Sequence, residues 1–577
     1  MMFQREKIGL VRDVRWLSLV FLFGILLIVV RLFFLQVLNY SYYSTLALST
    51  HEIYQKIHPE RGQIFFQDSR DGATYPVAVN RRYFQVYAVP NEIKPEEVES
   101  IAKSLNQALA LPAGEIDEVK SKIGKGNDPY EALAKKIPAE AVENLKTMNL
   151  KGIYWTPEVY RYYPEENWAA AILGFCSFDA NGNLEGHYGV EGYWNKILAG
   201  KSGFLLGERG AGGGLISLAG VTSVEAENGA NVVLTIDRAL QYQACSRLRA
   251  AFEEYKARSA SLVMVDPKTG AILAMCSEPD FDPNNYSQVD DFSVYNNRAI
   301  FTPYEPGSVF KPLVMSAALD MDLVGPQTTF DDPCARKFGQ YTIHNALNKC
   351  YGRSTMTQVL ENSINTGMIW VEERMPKGSL REYIEKFGFG QKTGAPLDTE
   401  MAGNISLLKK DADIFNAQAS FGQGITVTPM QLAMAYAALA NQGMLLEPFL
   451  VKETQYPDGR RERQEAKEVR RVVSPQASKL ITAMLVSTVE NTYFRTVRLD
   501  DYYIAGKTGT AQIPGKGGYT DETNHTFGGF APATDPRFVM VVRFEAPQRQ
   551  WAESTAAVVF KDVAKFALDY YGIKGDK

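Results

Sequence analysis

Ser308-Val309-Phe310-Lys311 sets a hydroxyl and an amine three residues apart, directly after Pro306 and Gly307 and ahead of an apolar run. That context puts the serine near a helix start. Residues three apart share a helix face, so the Lys311 amine can reach the Ser308 hydroxyl. A serine hydroxyl is a weak nucleophile, and a neutral amine beside it can take its proton. The helix start adds backbone N–H groups where negative charge would develop. Ser363-Ile364-Asn365 follows the helical segment 357–361 and offers a hydroxyl to relay a proton and an amide to bind a peptide. Lys507-Thr508-Gly509-Thr510 brings positive charge and two hydroxyls for a carboxylate. Gly509 on a strand would let a substrate backbone approach closely and add to the sheet edge.

None of these patterns is specific alone, and the chain carries its own controls. Ser-x-x-Lys recurs at Ser100/Lys103 and Ser406/Lys409, Ser-x-Asn at Ser104/Asn106, and Lys-Thr-Gly at Lys268 and Lys392. Lys268 falls in a hairpin turn, Lys392 in a Gly-rich loop, and Ser100 and Ser104 on a charged helix. Only Ser308, Ser363 and Lys507 occur in the order helix start, helix-end loop, strand. His51, His58, His187, His344 and His525 are the only five histidines, too few for a multi-histidine metal centre, and no Gly-x-Ser-x-Gly elbow is present. No metal and no cofactor is expected. His525, just before a strand, is expected to be solvated.

The elements that must position these groups follow from texture. A chain of 577 residues exceeds one core, so two or three domains are expected. A net charge of -5 argues against a nucleic-acid binder. Residues 16–38 form an apolar run long enough to span a membrane, with Arg31 near its far end and Arg5, Lys7, Arg12 and Arg15 before it. The expected order is a cytoplasmic tail 1–15, an uncleaved anchor 16–38, a pedestal 39–235 and a catalytic domain 236–577. Residues 91–150 read as helical, broken at Pro112 and at Gly124-Lys125-Gly126. Asp237 is a helix N-cap candidate. Apolar runs on either side of Asp266-Pro267-Lys268-Thr269-Gly270 read as a hairpin. Helical pattern dominates 309–440, strands return at 502–505, 526–530 and 538–544, and a helix at 552–570 closes the chain. This is an α+β arrangement, an antiparallel sheet with helices segregated around it. The five cysteines are too few for a disulfide scaffold. For Cys334 and Cys350 three states stay open: a disulfide, a zinc site with His344 and Asp331 or Asp332, or two free thiols.

The three motifs together resemble those of penicillin-binding proteins and serine β-lactamases. The wider resemblance is to class B penicillin-binding proteins, and it spans nearly the whole chain. It rests on Arg61-Gly62-Gln63-Ile64, Arg161-Tyr162-Tyr163-Pro164, Gly189-Val190-Glu191-Gly192 and Leu234-Thr235-Ile236-Asp237. It continues through Glu305-Pro306-Gly307-Ser308, Gly422-Gln423-Gly424 with Thr428-Pro429, and Phe527-Gly528-Gly529-Phe530-Ala531-Pro532. The resemblance implies a transpeptidase domain behind a membrane-proximal pedestal, D,D-transpeptidation between peptidoglycan stem peptides, and acylation by β-lactams. It implies that Ser308 attacks the penultimate D-alanine carbonyl and that Lys311 is the acylation base. Ser363 and Lys507 would assist proton transfer, and Asn365 would hold the donor backbone. The N–H groups of Ser308 and Thr510 would form the oxyanion hole, with Thr508 and Thr510 on the donor carboxylate. Arg61, Gly62, Arg161 and Glu191 are expected to be structural. Residues 39–235 carry no glycosyltransferase pattern, so a membrane glycosyltransferase is the expected partner. A β-lactamase is disfavoured, because Glu400 lies in Leu397-Asp398-Thr399-Glu400 and not in a Glu-x-x-Leu-Asn context. The implied setting is cell-wall synthesis during elongation or division.

Overall fold

The computed structural model describes residues 22, 23, 25–34, 52–110, 114–180, 182–208, 222–410, 412–492 and 495–577. Residues 22, 23 and 25–34 are helical and exposed. The rest of the expected 16–38 anchor lies outside the described residues, and among those described no helix is long and apolar enough to cross a membrane. The chain divides into two units. The smaller, drawn from residues 1–59 and 201–227, contains a three-stranded antiparallel sheet of Glu52–Ile57, Gly203–Glu208 and Thr222–Val224.

The larger unit, residues 60–200 and 228–577, is built on two sheets. The first sheet has five antiparallel strands in the order Ile272–Glu278, Ser259–Val265, Phe538–Glu545, Gly518–Ala531, Ala505–Gly515. Side chains alternate between its faces, and both faces are covered. Val263, Val265, Val539 and Val541 point to one core, with the helices Lys311–Asp320 and Pro429–Ala440. Leu262, Met264, Met540 and Phe544 point to the other, with Arg238–Tyr255 and Ala556–Tyr570. Burial on both sides explains why these strands read as unbroken apolar runs; each fully buried Leu or Phe contributes about 1.5–3 kcal/mol of transfer free energy. Asp237 caps Arg238–Tyr255 as expected, accepting from the N–H groups of Ala239 and Leu240 at 3.0 and 3.1 Å.

The second sheet mixes distant segments. Its order is Arg461–Arg463, Val451–Gln455, Asn231–Asp237, Ile64–Gln67, Thr74–Ala88, Glu131–Ile137, with Ile153–Tyr162 also paired to Thr74–Ala88. Asn231–Asp237 runs parallel to Ile64–Gln67 and antiparallel to Val451–Gln455. The expected helical stretch 91–150 is therefore corrected: the helices Val98–Leu109, Glu115–Ile123 and Ala139–Met148 surround a strand, Glu131–Ile137, which Thr74–Ala88 recruits by pairing. The helical reading of 309–440 is corrected in the same way. Thr329–Asp331 pairs with Arg353–Thr355, and Ala335–Phe338 with Tyr341–His344 across a turn at Gly339. The third-motif strand starts at Ala505 rather than 502, and the last helix at Ala556, after a short turn Ala552–Ser554.

Cys334 and Cys350 are joined as a disulfide, which consumes both thiols that zinc would need. A second disulfide, Cys245–Cys276, ties the helix Arg238–Tyr255 to the strand Ile272–Glu278, with Cα atoms 5.3 Å apart. Cys176 is free and buried.

Three of the quoted family phrases meet in one place. Glu191 is fully buried and accepts from Arg61 Nε at 2.7 Å and Arg161 Nε at 2.6 Å. Arg61 also donates to Asn195 and Arg161 to Asn80. Burial opposes ionisation of Glu191, yet the charges of Arg161 and Arg61 and their hydrogen bonds pull its pKa down to about 2. These residues are structural. Removing one partner of a buried ionic cluster leaves uncompensated charge and costs roughly 3–5 kcal/mol. Glu191→Ala is therefore expected to destabilise the protein by about that much in denaturant melts. A loss below about 1 kcal/mol, the range of an exposed ion pair, would contradict this.

Candidate active site

Ser308 lies in a 3-10 turn, Gly307–Phe310, that leads into the helix Lys311–Asp320. Every residue from Tyr304 to Leu319 is buried except Ser308, which is partly exposed. The turn is clamped from three sides. Gly307 adopts φ +60° and donates its N–H to the Gly422 carbonyl at 2.9 Å. Tyr436 Oη donates to the Val309 carbonyl at 2.7 Å. The strand Ala505–Gly515 packs against it, and a Cβ at Gly509 would lie 2.9 Å from both the Pro306 carbonyl oxygen and the Val309 nitrogen. The absence of a side chain at Gly509 therefore makes room for the backbone of the Ser308 turn. The strand is at the sheet edge, so its outer hydrogen-bonding side is open to an extended peptide.

Lys311 is fully buried. Its Nζ donates to the Ser363 carbonyl at 2.6 Å, Ser363 Oγ at 3.2 Å and Asn365 Oδ1 at 2.8 Å. In this structure the amine bonds to the second motif rather than to the Ser308 hydroxyl. Burial, and then the positive charge of Lys507, hold the Lys311 pKa well below the ordinary lysine range. That favours the neutral amine a proton acceptor must be. Ser363 sits at φ +55°, a strained setting for a residue with a side chain, and Asn365 opens the next helix. The Asn365 amide donates to the His344 carbonyl at 3.0 Å, so the Tyr341–His344 strand and the nearby disulfide back the second motif.

Lys507 is buried as well, and burial lowers its pKa to about 8 against the opposing pull of Glu553. Thr508 Oγ1 donates to Glu553 Oε1 at 2.8 Å, and Thr510 Oγ1 accepts from the Ala552 N–H at 3.2 Å. Glu553 had no local signature: an acid in a turn before the last helix becomes a partner of Thr508 only through tertiary packing. Glu305 also gains a role, accepting from the Gly424 N–H at 3.0 Å and Tyr519 Oη at 2.9 Å, which fastens the chain entering the Ser308 turn to a loop and to the strand Gly518–Ala531.

The decoy motifs are engaged elsewhere. Lys268 Nζ pairs with Asp535 at 2.5 Å in an exposed turn. Thr393 and Gly394 donate their N–H groups to Glu400, so that acid fastens the Lys392 loop. Ser100 Oγ donates to the Glu97 carbonyl. His525 is not solvated, contrary to expectation. It sits within Gly518–Ala531, fully buried between Thr523 and Thr555, and burial lowers its pKa to about 4.

Residues 260–565 match the penicillin binding protein transpeptidase domain, and residues 56–234 the penicillin-binding protein dimerisation domain. This chain belongs to the class B penicillin-binding proteins. The penicillin-binding protein is 32% identical to stage V sporulation protein D of Bacillus subtilis, over 97% of this chain and 86% of that one. It is 30% identical to the peptidoglycan D,D-transpeptidase FtsI of Escherichia coli, over 90% and 85% of the two chains. The crystal structure of penicillin binding protein 2X from Streptococcus thermophilus shares the fold, with a TM-score of 0.74 at 24% identity, covering 90% of this chain and 80% of that one.

Proposed function

We infer that this protein cross-links peptidoglycan by serine D,D-transpeptidation, and we assign Ser308 as its nucleophile. The observation that carries the assignment is one partly exposed serine, in a turn clamped from three sides, followed three residues on in the chain by a buried amine of depressed pKa. Ser308 Oγ attacks the penultimate D-alanine carbonyl carbon while Lys311 takes the hydroxyl proton. The N–H groups of Ser308 and Thr510 stabilise the oxyanion. The C–N bond breaks, the leaving D-alanine amine takes a proton relayed through Ser363, and an acyl-enzyme ester remains. The acceptor amine of a second stem peptide attacks that ester, restoring the Ser308 hydroxyl and forming the cross-link. A β-lactam acylates by the same attack, but its leaving nitrogen stays tethered. Asn365 steadies Lys311 and the donor backbone, and Lys507 with Thr510 receives the donor carboxylate, Thr508 standing beside that subsite with its hydroxyl on Glu553.

The wider reading is that residues 1–15 lie in the cytoplasm and 16–38 anchor the chain in the inner membrane. The pedestal 39–235 and transpeptidase domain 236–577 then work outside, beside a membrane glycosyltransferase that supplies glycan strands. The basic residues Arg5, Lys7, Arg12 and Arg15 before the apolar run support that orientation.

The test uses a stem peptide ending in D-alanyl-D-alanine and an acceptor peptide with a free side-chain amine. Wild type is expected to release D-alanine and form the cross-linked dimer. Lys507→Ala is expected to lose both, whereas Lys268→Ala and Lys392→Ala behave as wild type. Equal losses for Lys392→Ala and Lys507→Ala would mean that the third motif had been placed wrongly.

A further inference from the structure

The turn Ala552–Ser554 treats the two hydroxyls of the third motif in opposite ways. Thr510 Oγ1 accepts the Ala552 N–H at 3.2 Å, so its own proton stays free to donate. Thr508 Oγ1 donates to Glu553 Oε1 at 2.8 Å. A hydroxyl has a single proton and an ionised carboxylate can only accept, so Thr508 cannot serve Glu553 and a ligand carboxylate together. A ligand anion at Thr508 would also sit one hydroxyl away from a like charge. The charged groups around Glu553 are Lys507 on the strand and Arg495 across a cavity that Thr488 and Thr508 also line. On the other side lie Arg247, held by Asp562 at 2.7 Å, and Arg549, held by Glu254 at 3.3 Å.

We propose that Glu553 is a positioning residue that withholds the Thr508 proton and thereby sets the charge selectivity of the ligand-carboxylate subsite. The proposal rests on the assignment of Thr510 to that subsite, with Thr508 beside it. Thr510 then carries anion recognition in the wild type, with Thr508 held in reserve behind Glu553.

The experiment compares acylation of the purified protein by benzylpenicillin, an anion, and by its neutral methyl ester, as the ratio of second-order rate constants. Glu553→Gln keeps the shape, removes the charge and lets an amide N–H donate to Thr508 Oγ1, which frees the hydroxyl proton. The anion-to-ester ratio is expected to rise by about tenfold or more, the scale of one hydrogen bond to a charged group. Glu553→Asp should keep the wild-type ratio, and adding Thr508→Val to Glu553→Gln should erase the gain. Ester acylation reports whether each variant is folded. A Glu553→Gln effect equal for both probes, or a lower ratio, would overturn the proposal. Thr510→Val separates the two levels. If it leaves the ratio unchanged, the subsite assignment itself falls. If it lowers the ratio while Glu553→Gln leaves it alone, the subsite stands and the role of Glu553 falls.

Discussion

Ser308→Ala is expected to abolish covalent labelling by a fluorescent penicillin while leaving the thermal unfolding transition nearly unchanged. The substitution removes one oxygen from a partly exposed position, so neither a cavity nor an orphaned buried group results. Its chemical effect is expected to be total for the covalent route, and the rival attachment point is Ser363, whose Oγ lies 3.2 Å from Lys311 Nζ. Digestion of the labelled wild-type protein should place the adduct on the peptide containing Ser308. An adduct on Ser100, Ser363 or Ser406 would displace the assignment. Ser100 faces solvent and Ser406 lies in the short turn Ser406–Lys410, so neither has the clamped geometry around Ser308.

Lys311→Ala carries the second-largest effect. Loss of a general base costs ~10²–10⁴-fold in rate, and more where the base activates the nucleophile. The variant also strips a donor from the Ser363 carbonyl and from Asn365, so a fall at the upper end of that range is expected in the acylation rate constant. The pH profile supplies an independent reading. The acceptor must be the neutral amine, so the rate should rise with pH as Lys311 loses its proton, well below the ordinary lysine range. Ligand-carboxylate binding needs a cationic Lys507, so the rate should fall again above about 8. The two lysines share a field, so the apparent values belong to the pair. A rate that climbs without a maximum to pH 10 would remove Lys507 from the anion site.

What was legible in the chain were features written locally. The helix start at Ser308, the cap at Asp237 and the hairpin through Asp266 and Gly270 each depend on a few neighbouring residues, and each is present. What was hidden required partners far away in sequence. Glu131–Ile137 has no strand signature of its own and is a strand because Thr74–Ala88 pairs with it. At Gly509 only packing reveals that the backbone at Pro306 and Val309 lies where a side chain would be. Burial of His525 depends on Thr555, thirty positions later, and the Cys245–Cys276 bond on a helix folding back over the sheet. The Thr508–Glu553 contact belongs to the same kind. Motif spacing located the reacting atoms, but not the groups that govern their charge.

The mixed sheet also bears on how the chain can be made. Asn231–Asp237 takes Ile64–Gln67 on one side and Val451–Gln455 on the other, so synthesis passes through most of the catalytic segment before the second side is covered. Until then a strand rich in valine and leucine presents open N–H and C=O groups, the template on which stray chains pair. Pairings so distant are entropically costly and form late, so the pedestal matures only after the sequence that follows it. A fragment ending near residue 235 would keep that open edge permanently. The two regions are thus successive in sequence yet interlocked in assembly, and exchanging either between relatives would require carrying Val451–Gln455 along with the pedestal.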